Sequence, residues 1–105
     1  MSYAILDLLR LAVSDTGSSL RIVVGEPPTI RVRGTSNTLA GPALNPKDTE
    51  ELMRSITPEH CIQEVCERGT AEFGFAFGDR ARFHARVLKG KKGLTIVLRQ
   101  FACNA

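Results

Sequence analysis

Apolar residues recur along this chain with two periods. In the opening segment Ile5, Leu8, Leu9 and Ala12 fall at i, i+3, i+4 and i+7 with Asp7 and Arg10 between them, which predicts an amphipathic helix ending before Gly17. The period then drops to two. In SLRIVVG, Leu20, Ile22 and Val24 alternate with Ser19, Arg21 and Val23, and in TIRVRG the inward Ile30 and Val32 alternate with the outward Arg31 and Arg33. These two strands are joined by GEPP, whose Pro27 and Pro28 have no amide hydrogen to give a central ladder. Residues 35–44 are small and polar and are placed in no element, with Leu39 expected to touch the core.

Helical spacing returns at NPKDTEELMRSI. Asn45 is suited to cap, Pro46 to the first helical position, and Leu52, Met53 and Ile56 to a buried stripe. A second helix is predicted in TPEHCIQEVCERG, with Thr57 accepting from the first-turn amides, Glu59 complementing the positive helix end and Gly69 closing it. Strand alternation follows. TAEFGFAF sets Ala71, Phe73, Phe75 and Phe77 on one face, and beyond a turn at Gly78 and Asp79 the residues Ala81, Phe83, Ala85 and Val87 match them, as in an antiparallel hairpin with an aromatic inner face. The opposite face of the second strand is then Arg80, Arg82, His84, Arg86 and Leu88. After the basic turn KGKKG a last strand returns, with Leu94, Ile96 and Leu98 facing one way and Thr95, Val97 and Arg99 the other. If it pairs with its predecessor, Arg86 and Arg99 share a surface. Helices grouped apart from antiparallel strands predict an α+β sandwich, a sheet of five to six strands with helices packed mainly on one face.

A chain of 105 residues that is 43% hydrophobic has material for one core and not for two, so residues 1–105 read as a single domain. Asp7 and Arg10 interrupt what would be the apolar part of a secretory signal, and no run of about 18 apolar residues occurs. The expectation is a cytoplasmic protein without membrane insertion. Net charge is only +3, but its distribution is uneven: acids concentrate between Asp48 and Asp79, whereas residues 80–100 hold seven of the fourteen Lys and Arg and no acid. One helical region is acidic and one strand region basic.

Several chemistries are disfavoured by this arrangement. The nearest glycine-rich piece to a phosphate loop, GKKG at 90–93, is too short and precedes a strand instead of a helix. No serine sits in a nucleophile elbow, and His60 and His84 fall on different elements, so independent catalysis is not expected. The cysteines Cys61, Cys66 and Cys103 are odd in number and lack CxxC spacing; Cys61 and Cys66, five apart on a helix, point to different sides. They read as reduced thiols, with no metal site. The basic strand offers phosphate-binding side chains without an exposed aromatic platform, which makes nucleic acid an unfavoured partner.

The segments GSSLRIVVGEPPTIRVRG, LNPKDTEELMRSI, AEFGFAF and RARFHARVLKGKKGLTIVLRQ, in this order and spacing, resemble the N-terminal domain of PilT-type type IV pilus retraction ATPases, within the type II/type IV secretion ATPase family. The resemblance implies a PAS-like domain with a six-stranded antiparallel sheet, preceding a RecA-like ATPase core in a hexameric ring and packing against the neighbouring subunit's core. It further implies that arginines of this domain approach the phosphates of ATP held with magnesium by the assembled motor, while the domain alone binds no cofactor. Arg99 matches the arginine of the family's Leu-Arg-x-Ile-Pro segment, and Lys91 falls where the family commonly has another arginine. A lysine there keeps the charge and loses the planar bidentate fork. Ser19 and Arg21 replace an Asp and a His of the family pattern, and His84 and Arg86 replace an Arg and an Asn.

The sequence therefore points to a non-catalytic module of a pilus-retraction or secretion ATPase. Arg99 and Lys91 are the candidate phosphate contacts, and Arg82, His84, Arg86 and Lys92 form a candidate basic face. The chain is expected to be either an excised piece of a longer motor or a free-standing relative unable to turn over ATP. Two alternatives stay open: a stand-alone PAS-like ligand- or protein-interaction module, and a small nucleic-acid-binding domain.

Overall fold

The computed structural model describes residues 5–13, 18–32, 34–39, 41–77 and 81–102. Helix α1 (Ile5–Val13) is followed by strands β1 (Ser19–Val23), β2 (Thr29–Val32) and β3 (Thr35–Thr38). Then come helices α2 (Pro46–Ile56) and α3 (Glu59–Arg68) and strands β4 (Thr70–Phe77), β5 (Ala81–Lys89) and β6 (Leu94–Ala102). The strands form one sheet in the order β3-β2-β1-β6-β5-β4, every neighbouring pair antiparallel. All three helices pack on one face, α1 against β1, α2 against β6, and α3 against β4 and β5. The fold is α+β.

Period-two alternation decides which residues meet the helices. Leu20, Ile22, Phe83, Ala85, Val87, Ile96 and Leu98 all have zero exposure and all project from the helix-covered side, where Leu8, Leu9, Leu52, Met53, Cys61 and Val65 close over them. Removing this much apolar surface from water is the main drive to fold, at about 25 cal/mol per Å². Phe83 anchors the aromatic end, with its ring stacked on Phe75 at 5.5 Å and edge-on to Phe77 at 6.4 Å. At the other end the buried Ser18 hydroxyl donates to the Ala12 carbonyl, which ties the end of α1 to the start of β1.

Local signals fix the helix ends. Asn45 and Asp48 form a reciprocal capping box: the Asn45 side chain accepts from the Asp48 amide at 2.7 Å, and the Asp48 carboxylate accepts from the Asn45 amide at 3.1 Å. Gly69 adopts φ 81° and donates to the Val65 carbonyl, ending α3 in the left-handed conformation a glycine takes at least cost.

Two expectations need correction. Residues 35–38, placed in no element by their composition, form β3, whose four residues are all exposed. Backbone pairing with the free edge of β2 orders this segment, and apolar patterning gives no hint of that demand. Thr57 does not cap α3. It ends α2, giving its amide to the Met53 carbonyl, while Pro58 in extended conformation occupies the N-cap without any side-chain bond. The buried Thr57 hydroxyl has no hydrogen-bond partner among the described residues. The expected turn at Gly78 and Asp79, and Arg33, Arg80 and Cys103, lie outside the described residues.

The turn between β5 and β6 is held at Gly93, which has φ 142°. A Cβ built there would stand 2.8 Å from Val24 Cγ2 and 3.5 Å from Pro46 Cβ, so the turn is wedged between the β1 end and the start of α2. Gly93→Ala is expected to lower the unfolding free energy by about 2 kcal/mol, through backbone strain and the clash together, in a chemical denaturation titration. A change below about 0.5 kcal/mol would show that the turn is not so confined.

Candidate functional site

The face of the sheet turned away from the helices carries the polar half of every strand. Register places Ser36, Arg31, Ser19, Arg99, His84 and Gly74 in one row across all six strands. The next row is Thr38, Thr29, Arg21, Val97, Arg86 and Glu72. Arg99 therefore has His84 and Ser19 directly across from it, and Arg21, Arg82 and Arg86 as its diagonal neighbours on the same face. Diagonal positions on adjoining strands lie roughly 7–8 Å apart. All these cations are exposed.

Among the described residues, little neutralises them. Glu72 turns its carboxylate to His84, with Nε2 3.3 Å from Oε1, and both side chains are about half exposed, so the contact is worth less than about 1 kcal/mol. Among the described residues none of Arg21, Arg31, Arg82, Arg86 and Arg99 is in an ion pair; the other pair present, Arg54 with Glu50, lies on α2. Two like charges about 7 Å apart repel by about 0.6 kcal/mol in water, and by more where a partner excludes the water. The arrangement is one that an anionic group relieves. Arg21 and Arg31 also line a shallow groove of about 500 Å³, with Glu26 on its rim and Leu88 and Val97 giving it an apolar side.

The sequence-derived candidates divide between two places. Arg99, Arg82, His84 and Arg86 are brought together on the open face. Lys91 and Lys92 are not on it: they occupy the β5–β6 turn, beside a second groove of about 300 Å³ whose floor is Met53, Ile62, Val65 and Leu94. Arg99 lies five residues on from Leu94 along β6, about 17 Å of extended strand. The local pattern of Arg21 and Arg31 marks them as outward residues of the first two strands and does not place them with Arg99. Their place beside Arg99 comes from β1 pairing with β6, a contact between segments some 80 residues apart that local pattern does not encode. The aromatic rings of Phe73, Phe75 and Phe83 contact one another on the helix side, away from these cations.

No family profile matches the chain. Over 97 residues, 92% of the chain, it is 28% identical to the type IV pilus ATPase PilU of Pseudomonas aeruginosa. Among solved structures it superimposes on the pilus retraction motor PilT, determined with bound ADP, with a TM-score of 0.81 and 29% identity over 93% of the chain. The chain resembles the N-terminal part of the pilus-retraction ATPases. It spans 25% of PilU and 29% of the PilT chain. The Legionella pneumophila ATPase DotB, 20% identical with a TM-score of 0.75, shares the fold over 94% of the chain.

Crowding of cations around Arg99 has a measurable cost. Arg99→Gln removes repulsion with three diagonal arginines and is expected to raise stability by about 1 kcal/mol at low ionic strength. The gain should vanish near 0.5 M salt, where the Debye length falls below the spacing of the charges. Thermal unfolding of both proteins across a salt series checks this; a gain that persists at high salt would assign it to packing instead.

Proposed function

We propose that this chain acts as the N-terminal module of a type IV pilus retraction or secretion ATPase in the cytoplasm. It is a single PAS-like unit that holds a charged surface and performs no hydrolysis itself. The open sheet face packs against the ATPase core of a neighbouring subunit in a hexameric ring, and Arg99 stands toward the phosphates of an ATP whose magnesium and hydrolytic groups belong to a separate RecA-like core. The observation that carries this reading is the place of Arg99 at the centre of an exposed arginine cluster, none of whose described members is in an ion pair, in a chain matched along nine-tenths of its length by PilU and PilT.

Arg99 suits the role physically. Its guanidinium is always charged and presents parallel N–H donors that match two phosphate oxygens. The surrounding arginines raise the local positive potential, so charge developing on a transferred phosphoryl group is stabilised without reorganisation of the site. Lys91 is a second phosphate contact of lesser weight, approaching from the turn end of the sheet as a point charge. Because the arginines come from four different strands, a shift of the whole sheet against the core moves them together, which gives nucleotide state a means of driving rotation of this module.

In the assembled ATPase, Arg99→Ala is expected to lower kcat by about 10²-fold while leaving ring assembly intact, with Arg99→Lys recovering part of the loss. Unchanged ATPase activity in the alanine variant removes Arg99 from the mechanism. A steep salt-dependent affinity of the isolated chain for single-stranded DNA or RNA would favour the nucleic-acid reading of the same cluster instead.

A further inference from the structure

We propose that His60, Cys61 and Glu64 of α3 form a binding site for a zinc-like divalent transition metal. An imidazole nitrogen, the thiol sulfur and a carboxylate oxygen of these residues all lie within 4.8 Å of one another. Helix geometry accounts for the convergence: Glu64 is four residues from His60 and three from Cys61, so it meets both on one side of the helix. A tetrahedral zinc with bonds of about 2.0–2.3 Å would hold such atoms roughly 3.5 Å apart, which asks each side chain for a shift of about 1 Å. The three donor types, nitrogen, sulfur and oxygen, suit a borderline-soft ion and not magnesium or calcium.

The burial of the set is graded. Cys61 sits in the core wall at 2% exposure, Glu64 is half-buried and His60 is exposed, so an ion among them rests at the protein surface with its fourth position open to water. Burial, then the nearby Glu64 charge and its hydrogen bond, push the Cys61 thiol up, so the proton stays on sulfur while no ion is bound. Binding breaks that S–H bond, forms a metal–sulfur bond and releases one proton to solvent. The thiolate and carboxylate then balance the ion's two charges, which offsets the unfavourable placement of a cation at a helix N-terminus. Coordination also spans the first two turns of a helix that has no side-chain cap at Pro58, so the ion fastens the end at which α3 follows α2. The site lies on the helix layer, apart from the arginine face, and rests on no part of the function proposed above.

Cobalt provides the probe. Titration of the reduced chain with Co²⁺ is expected to give a 1:1 thiolate-to-cobalt charge-transfer band in the near ultraviolet with tetrahedral bands in the visible, both displaced by Zn²⁺. The double variant Cys66→Ser, Cys103→Ser should keep the spectrum, and Cys61→Ser should lose it. His60→Ala, at an exposed position that does not support the core, should weaken Co²⁺ binding by about tenfold or more, and Glu64→Gln by a similar factor. Absence of a thiolate band at millimolar Co²⁺ overturns the site. So does a band that survives Cys61→Ser, or a titration unaltered by His60→Ala while circular dichroism shows the same fold.

Discussion

The pairing of β6 between β1 and β5 is the constraint on which the rest of this structure depends. β6 joins β3, β2 and β1 on one side to the β4–β5 hairpin on the other, so its two registers decide how two otherwise separate halves share one core. Side chains alternate across a strand with a period of two, and a slip of one residue would carry Ile96 and Leu98 to solvent and Arg99 into the helix layer. Burying an unpaired guanidinium costs far more than any contact on the open face returns. The hydrophobic demand on one side thus fixes the position of every cation on the other.

This coupling explains how a small domain holds a strongly charged surface. The helices cover only one side, and the core they close contains fully buried Phe83, Leu20, Ile22, Ile96 and Leu98. Repulsion among the arginines is a fraction of a kcal/mol per pair and is tolerated because packing beneath it supplies much more. The open face is rigid for the same reason: its residues stand on strands hydrogen-bonded on both sides, except at β3 and β4. A charged group presented from such a surface keeps its geometry when an anionic partner arrives, which is the condition for preorganised electrostatic stabilisation.

The helix layer follows different physics. Its outward residues answer to helical spacing and capping, and the approach of His60, Cys61 and Glu64 arises within two turns of α3 without long-range pairing. Cys61 is buried and Cys66 exposed, as a spacing of five on one helix requires. The pattern behind the proposed site is local: an imidazole and a carboxylate at i and i+4 with a thiol beside them.

Much of the architecture was legible because it rests on short-range rules. Alternation of apolar residues marked β1, β2, β4, β5 and β6 and their inner faces, helical spacing marked α1 and the buried stripe of α2, and Asn45 and Gly69 behaved as their chemistry requires. Thr57 was misplaced because a threonine before a proline suits either the end of one helix or the start of the next, and packing chose the former. β3 was invisible because TSNT has no apolar face, and only the free edge of β2 calls it into a strand. Outward exposure of Arg21, Arg31, Arg82, Arg86 and Arg99 was likewise written in the local pattern. Their gathering around Arg99, and the exclusion of Lys91 and Lys92 from that group, were decided by the tertiary structure alone, since strand order and register are set by which surfaces bury one another and not by neighbours along the chain.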